Sequence, residues 1–242
     1  KLFAYFGDQG QANAYSYQAD NIAEAVTRLC WNADREIFSD TPKGKSFSQH
    51  ANILALLTDL APAAAPHIML SGSEGVPTYQ QALLNKVLSD KSLTQVSEYF
   101  RFYLIQALYH TGRADLYVDQ LKVWAAYLDQ GFTTFPEKPG ETRSDCHAWS
   151  ASPNYDLLAT LVGIRPASPG FKTVSIRPAY TNFAYSATAA HPGGVIIVKA
   201  SAGGKDVFYD ITLPEGVTGE LIVDTNRHLL HSGLNSVTVG ME

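Results

Sequence analysis

Residues 133–178 read TTFPEKPGETRSDCHAWSASPNYDLLATLVGIRPASPGFKTVSIRP, and this one run changes texture twice. Up to Asn154 it is a loop rich in Pro, Gly and Thr, crowded with polar side chains. Residues 153–162 then carry a short helical pattern, with Pro153 tolerated in the first turn. From Pro166 onward, proline and glycine punctuate short β-rich runs. What lies upstream reads as helix and what lies downstream reads as strand, so the chain is mainly α followed by β, with a predicted boundary between 1–165 and 166–242.

Upstream, residues 12–31 place Tyr15, Ala19, Ile22, Ala23, Val26 and Leu29 at three-four spacing, one apolar helical face. Asn32-Ala33-Asp34 breaks it, Ile37-Phe38 opens an irregular segment, and Asp40-Thr-Pro-Lys-Gly is a turn. A second helix is predicted over 47–59, capped by Ser46 or Ser48, with Ile53, Leu54, Leu56 and Leu57 facing its core. Residues 61–75 read as a Pro-rich loop and a Gly-rich turn. Helices follow over 78–89, over 94–110 with Thr94 or Ser92 as cap and Thr111-Gly112 as stop, and over 113–129. So short a link between the last two predicts antiparallel neighbours.

Downstream, KTVSIRP, AYSATAA, GVIIVKAS, DVFYDITLP, GELIVD and NSVTVG read as strands, alternation being plain in Val207–Leu213. Gly193-Gly194 and Gly203-Gly204 are turn signals. Strands at such even spacing predict an antiparallel β-sandwich. The helical part holds about six helices. Helical hairpins can close into a toroid around a pocket, but that needs roughly twice as many. A start in mid-pattern agrees: the sequence reads as the C-terminal portion of a longer chain.

With 45% hydrophobic and 17% charged residues the chain is globular. A net charge of -5 without any basic run argues against nucleic acid. No apolar stretch reaches membrane-span length, and no signal peptide is recognisable. Cys30 and Cys146 match no metal motif, and they read as two reduced, buried thiols rather than a bridge. His67, His110, His191, His228 and His231 show no metal-site pattern and read as surface or capping residues. No metal or organic cofactor is called for.

The loop carries the chemistry. It holds Glu137, Glu141, Arg143, Asp145, His147 and Trp149 within thirteen positions. A carboxylate moves a proton, Arg and His grip hydroxyls, and an indole covers the apolar face of a sugar ring. The plainer reading is a polar loop tied to helix ends. Glu137 is the candidate base and Glu141 its rival, the latter nearer Arg143 and expected to pair with it or face solvent. Arg143 and Asp145 line the pocket or form a mutual surface pair. His147 is a hydroxyl ligand or a cap, and Trp149 a pocket wall or core. His50, at the start of the second helix, is a further candidate from another hairpin, with Gln49 a similar case. The tyrosines of 99–109 read as core.

Residues 133–178 closely resemble the C-terminal half of bacterial α-L-rhamnosidases, glycoside hydrolase family 78. The runs FSDTPKGKSFSQHANILALL and VSEYFRFYLIQALYHTGRADLYVDQLKVWAAYLDQG look like the preceding helices of that family. The resemblance implies an (α/α)6 toroid followed by a C-terminal β-sandwich, and hydrolysis of terminal α-L-rhamnosides with inversion. It implies that Glu137, shortly after Thr133-Thr134, is the general base, and that His147 lies in the sugar pocket with Trp149. Two departures matter. Pro136 stands where many members have Trp. The carboxylate-rich segment that supplies the family's general acid has no counterpart in this sequence.

The expected ligand is therefore a rhamnose-containing oligosaccharide or glycoside, with the acid supplied by an upstream part of the same polypeptide. Taken alone, the chain is expected to be inactive. Exposed inner faces of a partial toroid would favour association with the missing part or with a second copy. The alternatives are a non-catalytic carbohydrate-binding or structural fragment and another α/α-toroid glycosidase. The sequence does not set the compartment; a periplasmic or secreted setting is the family-level expectation.

Overall fold

The computed structural model describes residues 1–62, 78–179 and 183–240. Most of the predicted 61–75 loop, and with it His67, lies outside the described residues. The chain divides into two compact units, Lys1–Thr111 and Gly112–Glu242.

The first unit contains α1 (Leu2–Tyr5), α2 (Gln9–Cys30), β1 (Trp31–Asn32), β2 (Ile37–Phe38), α3 (Gln49–Leu57), α4 (Tyr79–Ser89) and α5 (Glu98–His110). Asp8 caps α2 by accepting from the Gln11 N–H at 3.0 Å. The segment read as irregular after α2 is a two-rung hairpin, Trp31 opposite Phe38 and Asn32 opposite Ile37. Ser48 caps α3, whereas α4 carries a full capping box between Thr78 and Gln81.

Helix α5 starts at Glu98, four residues later than its apolar pattern suggests. Thr94 is taken by another partner: its N–H donates to Phe47 O and its carbonyl accepts from the Gln49 N–H, each at 3.0 Å. Ser92 bonds Asp90 instead of capping. The core face of α5 is Leu104, Ile105, Ala107 and Leu108. The tyrosines read as core are not: Tyr99 is exposed, and Tyr103 and Tyr109 are half-buried.

Two buried amides tie this unit together. Gln49, 5% exposed, donates from Nε2 to Val87 O and accepts the Val96 N–H at Oε1, both at 2.8 Å. Asn52, fully buried, accepts from the Phe38 N–H at 2.7 Å and donates to the carbonyls of Phe38 and Ser48. Each closes backbone groups that would otherwise be buried unpaired. Gln49 is thus a structural residue, with both ends of its amide committed to backbone.

In the second unit the pattern over 113–129 is not one helix. It breaks into a 3-10 turn (Ala114–Leu116), α6 (Tyr117–Gln120) and α7 (Lys122–Asp129). Tight i→i−3 bonds, Leu121 N–H to Val118 O and Trp124 N–H to Leu121 O, mark the break. The last helical segment is α8 (Pro153–Asp156), widening into a π turn over Leu157–Leu161.

Among the described residues eight strands follow: β3 (Ile164–Pro166), β4 (Thr173–Ile176), β5 (Tyr185–His191), β6 (Gly194–Gly203), β7 (Asp206–Leu213), β8 (Thr218–Val223), β9 (Asn226–Leu230) and β10 (Gly233–Gly240). They form two four-stranded sheets, ordered β10-β7-β6-β5 and β3-β4-β8-β9. Pairing is antiparallel except at β4·β8, which is parallel. The chain leaves β4, runs through three strands of the other sheet and returns as β8, a long excursion of the kind a parallel pair requires. At that pair only glycine fits position 219, because a Cβ would lie 2.3 Å from Val174 O.

Alternation becomes burial directly. Along β7, Val207, Tyr209, Ile211 and Leu213 point inward, while Phe208 is 45% exposed. Val174, Ile176, Leu221 and Val223 from one sheet join Ile196, Val198 and the β7 set from the other in one buried cluster. Each such side chain contributes about 1.5–3 kcal/mol relative to an exposed one. Among the described residues no helix is long and apolar enough to cross a membrane.

Candidate functional site

The loop between α7 and α8 is pinned by ladder-like bonds between its two limbs. The Thr134 hydroxyl donates to Asp145 O, the His147 N–H to Phe135 O, and the Glu137 N–H to Ser144 O at 2.9 Å. Pro136 has no N–H to give, and its carbonyl accepts from the Ser150 hydroxyl at 2.7 Å. Ser150 is fully buried, its hydroxyl also reaches His147 O, and its own carbonyl accepts from Trp124 Nε1 at 2.7 Å. The loop is thereby fastened to α7 rather than left to solvent, which gives its side chains fixed directions.

Glu137 is 8% exposed. Its Oε2 accepts from Arg143 Nε at 3.0 Å and its Oε1 from Arg143 Nη2. Of the alternatives the sequence left open, Glu141 faces solvent rather than pairing with Arg143, and Arg143 and Asp145 do not form a mutual pair. Glu141 and Asp145 are both exposed, and the Asp145 contact to Thr134 uses its backbone carbonyl. Four residues separate the two glutamates, but the limb pairing turns Glu137 inward and leaves Glu141 near the tip. The Arg143 hydrogen bond holds the Glu137 carboxyl below the ordinary carboxylate range. Burial opposes it, and the charges of Arg143, His147 and Lys138 add to it.

His147 and Trp149 come together, ring centroids 4.4 Å apart and planes inclined by 58°. The indole is 45% exposed, so it offers a face to solvent rather than serving as core. Cys146 is exposed and Cys30 half-buried, both free, so the thiol facing out beside His147 departs from the expected buried pair.

His50 belongs to the first unit. It is half-buried with its ring 4.4 Å from that of Phe100, and burial lowers its pKa against the pull of Asp40. Two further histidines have local partners: His110 Nε2 lies 2.8 Å from Asp59 and His191 Nε2 lies 2.7 Å from Phe171 O. Among the described residues no group of three or more His, Cys, Asp or Glu could hold a metal ion. Sequence reasoning missed the supports, Ser150 and Trp124. Trp124 falls within the helical run predicted over 113–129. Nothing in a lone serine signals a buried hub.

Residues 163–236 match the family model described as the bacterial alpha-L-rhamnosidase C-terminal domain. Among solved structures, a family 78 rhamnosidase of Bacillus sp. GL1 aligns with a TM-score of 0.72 at 24% identity. It covers 92% of this chain and 25% of its own. An α-L-rhamnosidase from Aspergillus terreus gives 0.76 at 16% identity, covering 98% and 28%. The Streptomyces avermitilis α-L-rhamnosidase, complexed with L-rhamnose, gives 0.74 at 19% identity, covering 98% and 25%. The chain resembles the C-terminal portion of family 78 α-L-rhamnosidases, and at these identities the likeness to the solved structures is one of fold. It spans about a quarter of their length. No curated protein matches the sequence.

Proposed function

We propose that the chain is the C-terminal portion of an inverting α-L-rhamnosidase. In this reading residues 1–165 belong to an (α/α)6 toroid and 166–242 form a β-sandwich. The observation that carries the reading is Glu137: a carboxylate held ionised and almost buried, in a loop that also sets His147 against Trp149. The sharing of one buried cluster by both sheets supports the sandwich, and the likeness to rhamnosidases supports the substrate class.

In this reading Glu137 takes a proton from a water attacking the anomeric carbon. A second carboxylate, upstream of this chain, protonates the leaving oxygen from the opposite face. His147 binds a ring hydroxyl, and Arg143 and Asp145 belong to the pocket wall. Trp149 meets the apolar C5–C6 methyl side of rhamnose, which distinguishes it from hexoses bearing a hydroxymethyl group. The chemistry needs no metal.

The test is release of L-rhamnose from an aryl α-L-rhamnoside by the complete polypeptide. Glu137→Gln is expected to lower kcat by about 10²–10⁴-fold while rhamnose still binds. A variant that keeps most of its activity removes Glu137 as base and moves the assignment to Glu141. A second reading, a carbohydrate-binding fragment without turnover, applies to the isolated chain, because the carboxylate-rich segment that would supply the general acid has no counterpart in this sequence. A wild type that binds rhamnose and never turns over decides for it.

A further inference from the structure

We infer that Arg143 is a positioning residue for Glu137, a two-pronged clamp that fixes the plane of the carboxylate and covers one side of it. The inference rests on the reading of Glu137 as the base. Nε and Nη2 reach different oxygens of the same carboxylate, the side-on fork in which a planar guanidinium and a planar carboxylate lie together. Such a fork occupies one lone pair on each oxygen, on the side where the two point the same way. A water that gives up its proton must approach a remaining lone pair. The clamp therefore restricts the direction of attack.

The two partners sit in different surroundings. The Glu137 side chain is 8% exposed and that of Arg143 79%. This is neither a solvated surface pair nor a buried one, since the cation stays in water while the anion is enclosed. Removing the guanidinium takes away the donors to both carboxylate oxygens, so its charged form loses most. The loop is built to bring the arginine back over the base. Gly140, with φ of +75°, turns the tip. Thr142 Oγ1 donates to Ser144 O at 2.9 Å and accepts the Ser144 N–H at 3.2 Å, and Ser144 O also holds the Glu137 N–H.

The charged or titratable groups facing Glu137 are Arg143, His147 and Lys138, and the Arg143 hydrogen bond is the largest influence on it. The folded carboxyl titrates below its unfolded value. The pair's stability contribution is thus present above the ordinary carboxylate range and lost as pH falls through the depressed value.

The experiment is a side-chain carboxyl ¹³C NMR titration of the 242-residue chain. The Glu137 signal is assigned by its absence in Glu137→Gln. The wild-type midpoint should fall below about 4.3, the ordinary glutamate value. Arg143→Gln should raise it, and Arg143→Lys, which keeps the charge without the fork, should fall between the two. A Gln variant that titrates like wild type overturns the clamp, and so does a Lys variant identical to wild type, since charge alone would then suffice. Should the Gln variant fail to fold, the Lys variant decides by the same criterion. In the complete polypeptide the acidic limb of kcat/KM should move up with the NMR midpoint. The titration needs no turnover, so the two readings fail separately. A shifted midpoint with an active Glu137→Gln keeps the clamp and removes the base.

Discussion

The paired sheets and helix α2 handle their apolar residues in opposite ways. In the sheets, alternation is satisfied within one unit: Ile196, Val198, Ile211 and Leu221 are all fully buried. Helix α2 runs for 22 residues with a clear apolar stripe, yet only Ala12 is buried. Tyr15 is 55% exposed, Tyr17 69%, Ile22 64% and Leu29 44%. Intrinsic propensity and a cap make α2 a helix, but in globular proteins most helical stability comes from packing an apolar face. The sheets hold their own stabilising contacts; α2 presents a face whose pattern asks for cover.

The sharpest way to break this comparison is a pair of equal truncations. Ile196→Ala in the sheet core should cost about 2–5 kcal/mol in denaturant unfolding. Asn52→Ala, which strips the Phe38 N–H and carbonyl of their partner, should cost about 1–3 kcal/mol. Thr78→Ala, which opens the α4 capping box, should cost about 1 kcal/mol, read as a lower thermal midpoint. Ile22→Ala on the open stripe of α2 should change stability by less than about 0.5 kcal/mol. If it costs as much as Ile196→Ala, the α2 face is covered in solution and the contrast disappears.

Much of this was legible because period and punctuation agree. Apolar spacing located α2, α3 and α4, and Ser48 was a recognisable cap. What escaped notice had physical causes. Thr94 looks like a cap until a long-range partner, Phe47, claims its N–H. The 113–129 run has unbroken apolar spacing, and spacing is blind to the i→i−3 bonds that divide it. Strand β9 was missed because NRHLL barely alternates, Leu229 lying 76% exposed beside buried Leu230. Strand order is not encoded in alternation, so the parallel β4·β8 pair had no local sign. At the site, the residue types were readable but their pairing was not. Glu141 is the nearer carboxylate to Arg143 along the chain, and only the register of the loop's limbs makes Glu137 its partner.

One small side chain has a consequence for how variant libraries would be read. Ser150 joins Trp124, Pro136 and His147 through a single hydroxyl and a single carbonyl. If Glu137 is the base proposed above, a deep mutational scan of the complete polypeptide scored by sugar release would rank Ser150 beside Glu137, although Ser150 lies wholly beneath the surface. Scored by abundance, Ser150 would drop out while Glu137 stayed. The two scores together separate the scaffold of the loop from its chemistry.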